Sequence, residues 1–140
     1  MRITPLLLIF LLLVLPFSLS AAVEKKTTEA SVAERPKVAV YHELSPPLVV
    51  NVQGKAHYMR CDVQLMTRDE GKLANIVLHS PALRHELLLL FSDQQGQDIK
   101  DTKGKEKLRK DALKALQGVM KQIVDDDSIE DLYFTSYFVE

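Results

Sequence analysis

The chain has 140 residues, with 18 lysines and arginines against 19 aspartates and glutamates, a formal net charge of −1 at pH 7 and a single cysteine. That balance excludes the broad basic surface of a nucleic-acid binder, and one cysteine excludes an internal disulfide framework. The length admits one domain around one hydrophobic core, not two.

The first predicted element is apolar: Leu6, Leu7, Leu8, Ile9, Phe10, Leu11, Leu12, Leu13, Val14 and Leu15 follow one another unbroken. At about 1.5 Å per residue this run falls short of a hydrocarbon core roughly 30 Å thick, although carried on to Val23 it is just long enough. Two readings of residues 1–22 stay open. A signal peptide fits Arg2, the helix-breaking Pro16 and the small residues Ser20, Ala21 and Ala22 before a cut. A signal anchor also fits, although Lys25 and Lys26 beyond the run weaken the positive-inside argument. Both readings remove the rest of the chain from the cytoplasm. A lipid anchor is excluded, because the lone cysteine is Cys61, far from the cleavage point. Residues 23–37, "VEKKTTEASVAERPK", are polar and aperiodic and read as a flexible linker spanning roughly 20 Å.

From residue 38 onward the pattern is that of a folded domain reaching to residue 140. "PPLVVNV", Pro46 to Val52, predicts a strand followed by a Gly54-containing turn. Next, Met59, Cys61, Val63 and Leu65 alternate with Arg60, Asp62 and Gln64, the period-two signature of a half-buried strand that completes a hairpin. Asp69 is placed to cap a helix with Leu73, Ile76 and Val77 on one face. Ser80 and Pro81 open a second helix whose apolar face is Leu83, Leu87, Leu90 and Phe91. Thr102 is the expected cap of the longest helix, with Leu108, Ala112, Leu116, Val119 and Ile123 at spacings of three and four. "IEDLYFTSYFVE" closes the chain as an aromatic, β-branched strand. This order predicts an α+β domain with helices packed on an antiparallel sheet.

Catalytic and metal-binding constellations are hard to find. His42, His57, His79 and His85 lack the spacing of a helical zinc pair. Cys61 sits on the apolar side of its strand, the place of a structural thiol rather than a nucleophile. "DDDSIED", Asp125 to Asp131, lacks the alternating oxygens and the glycine of an EF-hand loop. No glycine-rich phosphate loop or nucleophile elbow is present. The reading is therefore no enzyme, no cofactor, no metal and no small-molecule substrate.

One charge pattern asks for a reason. Lys103, Lys105, Lys107, Arg109 and Lys110 crowd the first turns of the long helix, and Asp125, Asp126 and Asp127 its exit. Both clusters oppose the helix macrodipole, at a few tenths of a kcal/mol per exposed charge. A solvated helix is one explanation. The other is that the two ends, roughly 33 Å apart at 1.5 Å per residue, are complementary patches for a head-to-tail neighbour, a contact that closes into a ring when its rotation permits.

These blocks, in this order, resemble the flagellar basal-body FliL family. The resemblance runs from Tyr41 to Glu140 through "YHELSPPLVVNV" as an opening strand, "YMRCDVQLMTRD", "HSPALRHELLLLFS", "TKGKEKLRKDALKAL" and "IEDLYFTSYFVE". Within the fourth block, Gly104, Lys105, Glu106, Leu108 and Arg109 match the family's helix start. What the resemblance implies is a bacterial inner-membrane protein with a stomatin-like (SPFH-like) periplasmic domain. Its partners are copies of itself in a homo-oligomeric ring and flagellar stator and basal-body proteins, and it supports rotation, motility and chemotaxis. It brings no catalytic residue and no cofactor. The competing expectation is a soluble periplasmic binding module released by cleavage after Ala22.

Overall fold

The alternation of Met59, Cys61, Val63 and Leu65 with polar neighbours builds the central strand of a four-stranded antiparallel sheet. In a computed structural model, which describes residues 37–56 and 58–140, the order is β1 (Val40–Glu43), β2 (Leu48–Asn51), β3 (Tyr58–Thr67), α1 (Glu70–Leu78), α2 (Ser80–Ser92), α3 (Thr102–Val124) and β4 (Asp131–Val139). Segment 1–22, including Leu6 to Leu15, lies outside the described residues, as do residues 23–36 of the linker and His57. Among the described residues no helix is long and apolar enough to cross a membrane.

β1 and β2 pair with successive halves of β3, Val40 opposite Thr67 and Leu48 opposite Cys61, while β4 runs along the whole length of its other edge. The single opening strand expected from the sequence is thus two collinear strands. They are separated at a corner where Ser45–Pro46 is cis and Arg84 of α2 donates to the carbonyls of Leu44 and Pro46. Proline has no N–H for a ladder, so the pairing breaks there. The expected hairpin of β2 and β3 is present. Its connection turns at Gly54, whose φ of 90° suits a residue without a Cβ.

The three helices cover one face of this sheet. Met59, Cys61, Val63 and Leu65 meet Ile76, then Leu83, Leu87 and Phe91, then Leu108, Ala112, Leu116 and Met120 in one core. Burying each large aliphatic or aromatic side chain contributes roughly 2 kcal/mol. α1 is capped by Asp69, whose carboxylate accepts from the Gly71 N–H at 2.9 Å, as expected. Only Ile76 of its anticipated face is fully buried, and Val77 stays 49% exposed. α2 is capped one residue earlier than expected. His79 is the N-cap, and the Ser80 hydroxyl is spent on the Ile76 carbonyl at 3.0 Å, which makes His42 Nε2 the donor to Ser80 Oγ at 2.9 Å.

α3 buries Leu108, Ala112, Leu116 and Met120, one residue per turn, whereas Ile123, the last of the anticipated stripe, is 45% exposed beyond the edge of the sheet. Gly118 lies on its outer surface, and a Cβ there would meet nothing within 4 Å. Gly118→Ala is therefore expected to stabilise the domain by about 1 kcal/mol, read as a higher melting temperature.

Candidate functional site

The charged helix α3 is held at its start by an arrangement that the sequence did not single out. Asp101, not Thr102, is the N-cap, and its carboxylate accepts from the Gly104 N–H at 2.6 Å. Gly104 faces the carbonyl of Asp98 so closely that a Cβ would lie 1.7 Å from that oxygen. The helix ends at Asp125, whose left-handed conformation, φ 54° and ψ 34°, stops it.

The basic cluster divides between two faces of this helix. Lys103, Lys107 and Lys110 continue into Lys114 and Lys121 at steps of three, four and seven, a straight row opposite the buried stripe and about 27 Å long at 1.5 Å per residue. All five are exposed. Lys114 and Lys121 were absent from the expected cluster, although the spacing that reveals them was legible. Lys105 and Arg109 turn the other way, toward β4. The Lys105 ammonium stands 5.0 Å from the centre of the Tyr137 ring, within cation–π range.

Arg109 fastens α3 to β4. Its guanidinium donates to both Glu106 oxygens at 2.8 and 2.9 Å, to Asp131 Oδ1 at 2.5 Å and to the Leu132 carbonyl at 3.0 Å. The hydrogen bonds from Arg109 hold the Glu106 carboxyl below the usual carboxylate range. Burial pushes Asp131 up, but the Leu132 N–H, the Tyr133 hydroxyl and Arg109 outweigh it, and its carboxyl also sits low. These groups line an open cleft of about 430 Å³ together with Thr102, Lys105, Tyr133 and Phe134. With Arg109 committed to two carboxylates and a carbonyl, the cleft is a braced joint rather than a cationic receptor.

The acidic exit is also partly engaged. Asp126 accepts from Lys72 of α1 at 2.8 Å and from Ser128 at 3.2 Å, and Asp125 pairs with Lys121 at 3.0 Å. The hydrogen bond from Lys72 keeps Asp126 below its ordinary value. Asp125 and Asp127 are the exposed members. Among the described residues no group of three or more His, Cys, Asp or Glu side chains is placed to hold a metal. Burial, with Asp62 beside it, pushes the Cys61 thiol up to about 12, so at neutral pH it is an uncharged packing group. Burial lowers the pKa of His42.

The domain is α+β, its Arg109 and Asp126 clusters tie one element to another, and Lys103, Lys107, Lys110, Lys114 and Lys121 form an exposed row along α3. The chain belongs to the FliL family: the family model described as "Flagellar basal body-associated protein FliL" matches residues 41–139. It is also similar to a protein named "Flagellar protein FliL" from Aquifex aeolicus, with 25% identity over 107 residues. That match covers 75% of this chain and 64% of the relative, so it spans less than two thirds of the relative's length.

Proposed function

We propose that this flagellar basal-body-associated protein is a periplasmic assembly domain tethered to the inner membrane by the apolar segment that begins with Leu6 to Leu15 and runs on to Val23, with a stomatin-like arrangement of sheet and helices. Copies join head to tail into a ring beside the stator units and support flagellar rotation. The observation that carries this reading is the row of exposed lysines that begins at Lys103, with exposed Asp125 and Asp127 just past the far end of α3. Complementary ends on a rigid rod favour a heterologous contact and discourage a head-to-head one. Arg109, Lys105 and Asp126 belong to the internal bracing, so the contact rests on Lys103, Lys107 and Lys110 at one end and Asp125 and Asp127 at the other.

The test is photo-crosslinking in cells from position 107 of the full chain, with membrane and periplasmic fractions separated. Crosslinks in the membrane fraction to itself and to a stator protein are expected. With the probe at 107, replacing Lys103 and Lys110 by glutamate should cut the self-crosslink by about ten-fold or more without changing the melting temperature. A self-crosslink that survives this double reversal excludes the head-to-tail contact.

The second reading, a soluble periplasmic module, is favoured by Ser20, Ala21 and Ala22 at the end of the apolar run. The intact mass of the protein recovered from cells decides between the two, because retention of residues 1–22 excludes cleavage.

A further inference from the structure

The helices cover one face of the sheet, and among the described residues no helix covers the other. Along β3 that other face carries Arg60, Asp62 and Gln64, which pair across the ladder with Phe138, Ser136 and Tyr133 of β4. Aromatic rings crowd its two ends. Tyr58 and Phe138 lie with centroids 6.1 Å apart at one end, and Tyr41 and Tyr133 lie 6.2 Å apart at the other. Phe138 is 51% and Tyr41 55% exposed, and Val49 beside Arg60 is 58% exposed. Isolated exposed apolar residues need no explanation, but a sheet face with paired aromatic rings at both ends and an arginine opposite Phe138 has the composition of a protein interface. Arg60 makes no ion pair among the described residues, although Asp62 stands two residues away on the same face.

We infer that this face is a self-association surface on which two copies pack about a two-fold axis, Arg60 of each against Asp62 of the other. The argument is geometrical. Arg60 and Asp62 point outward one residue either side of Cys61, so an axis crossing β3 at Cys61, in the plane between the two sheets and perpendicular to the strands, exchanges their positions. The same operation brings Phe138, opposite Arg60, over Ser136 of the second copy, opposite Asp62. Each copy thus presents charge and its complement at mirrored distances from one point, which suits a copy of itself better than an unrelated partner. An axis at Cys61 overlaps residues 58 to 64 of β3, about 20 Å, by about 15 Å across three strands, or roughly 600 Å² for the pair, below the size of standard specific interfaces. The dimer is accordingly weak and reversible, and it forms where copies are concentrated. It uses no residue of the charged ends of α3 and stands independently of the head-to-tail contact.

The test places a photoreactive phenylalanine at position 138 of the full chain in cells. A self-crosslinked dimer is expected, joined to the peptide that carries β4 of the second copy near Ser136. Arg60→Asp should lower its yield at least about ten-fold, with the melting temperature unchanged because Arg60 is exposed and makes no ion pair among the described residues. The exchanged double variant Arg60→Asp with Asp62→Arg should restore it. A dimer that ignores Arg60→Asp, a double variant that stays monomeric at this site, or crosslinks only to a different protein would each overturn the inference. Loss of the crosslink at position 107 with persistence of that at 138 separates failure of the head-to-tail reading from failure of this one.

Discussion

Gly104→Ala is expected to lower the melting temperature by roughly 15 °C, the opposite of the usual effect of replacing a helical glycine by alanine. The new Cβ would lie 1.7 Å from the Asp98 carbonyl oxygen and 2.8 Å from its carbon, distances no side chain occupies. The turn before α3 must therefore move, and Asp101, whose carboxylate caps Gly104 at 2.6 Å, moves with it. Loss of the cap costs about 1 kcal/mol and displacement of packed backbone another 2 to 3, which for a domain of about 100 residues corresponds to the stated shift. Thermal melting of Gly104→Ala beside Gly118→Ala decides the matter. Opposite signs are expected, and a rise in both would show that the close approach to Asp98 is not a constraint.

Arg109→Ala should cost about 2 to 3 kcal/mol, and Arg109→Lys should recover less than half of that. The guanidinium makes four hydrogen bonds to Glu106, Asp131 and the Leu132 carbonyl, and its side chain is only 23% exposed. Truncation leaves Asp131, 28% exposed, without its cation, whereas a lysine supplies one point charge where a planar fork spans two carboxylates. Denaturant unfolding of the two variants measures the difference, and equal stability of wild type and alanine would show that the joint contributes nothing. The pH profile gives an independent reading. Glu106 and Asp131 have folded pKa values below their unfolded ones, so their contribution is complete above about pH 4.5 and is lost as the pH falls through the folded values. Wild type should therefore lose stability as the pH falls below about 4.5, and Arg109→Ala should show a shallower acid limb. Some slope survives in the variant, because Asp126 is held low by Lys72 on the far side of the domain.

These outcomes depend on features of different legibility. The period-two run from Met59 to Leu65 and the apolar residues at spacings of three and four from Leu83 to Phe91 could be read directly, because burial on one face of a strand or helix imposes a period on the chain. Helix starts were legible only to within a residue. Ser80 and Thr102 have the right chemistry for caps, but each helix starts one residue earlier, after His79, which makes no side-chain cap hydrogen bond, and after Asp101, which has the extended backbone of a cap. The Ser80 hydroxyl was claimed by the Ile76 carbonyl, while Asp101 reached Gly104 first. The ends of apolar stripes misled at Val77 and Ile123, where periodicity continues past the surface available to cover it.

By itself the sequence determined the α+β class, the order of its helices and its two longer strands, and the family to which the chain belongs, because these follow from local periodicity and from motifs in fixed order. Only the tertiary structure decided what each charge does. Five basic residues close together between Lys103 and Lys110 look alike in a string. Yet a helix turns by about 100° per residue, so Lys103, Lys107 and Lys110 are carried to the solvent and Arg109 onto β4. Asp131 and Leu132, more than twenty positions further along the chain, complete the Arg109 joint only because β4 returns beside α3. Whether a charge is a free surface group or a brace depends on what the fold brings opposite it, and that partner is set by long-range packing rather than by neighbours in the chain.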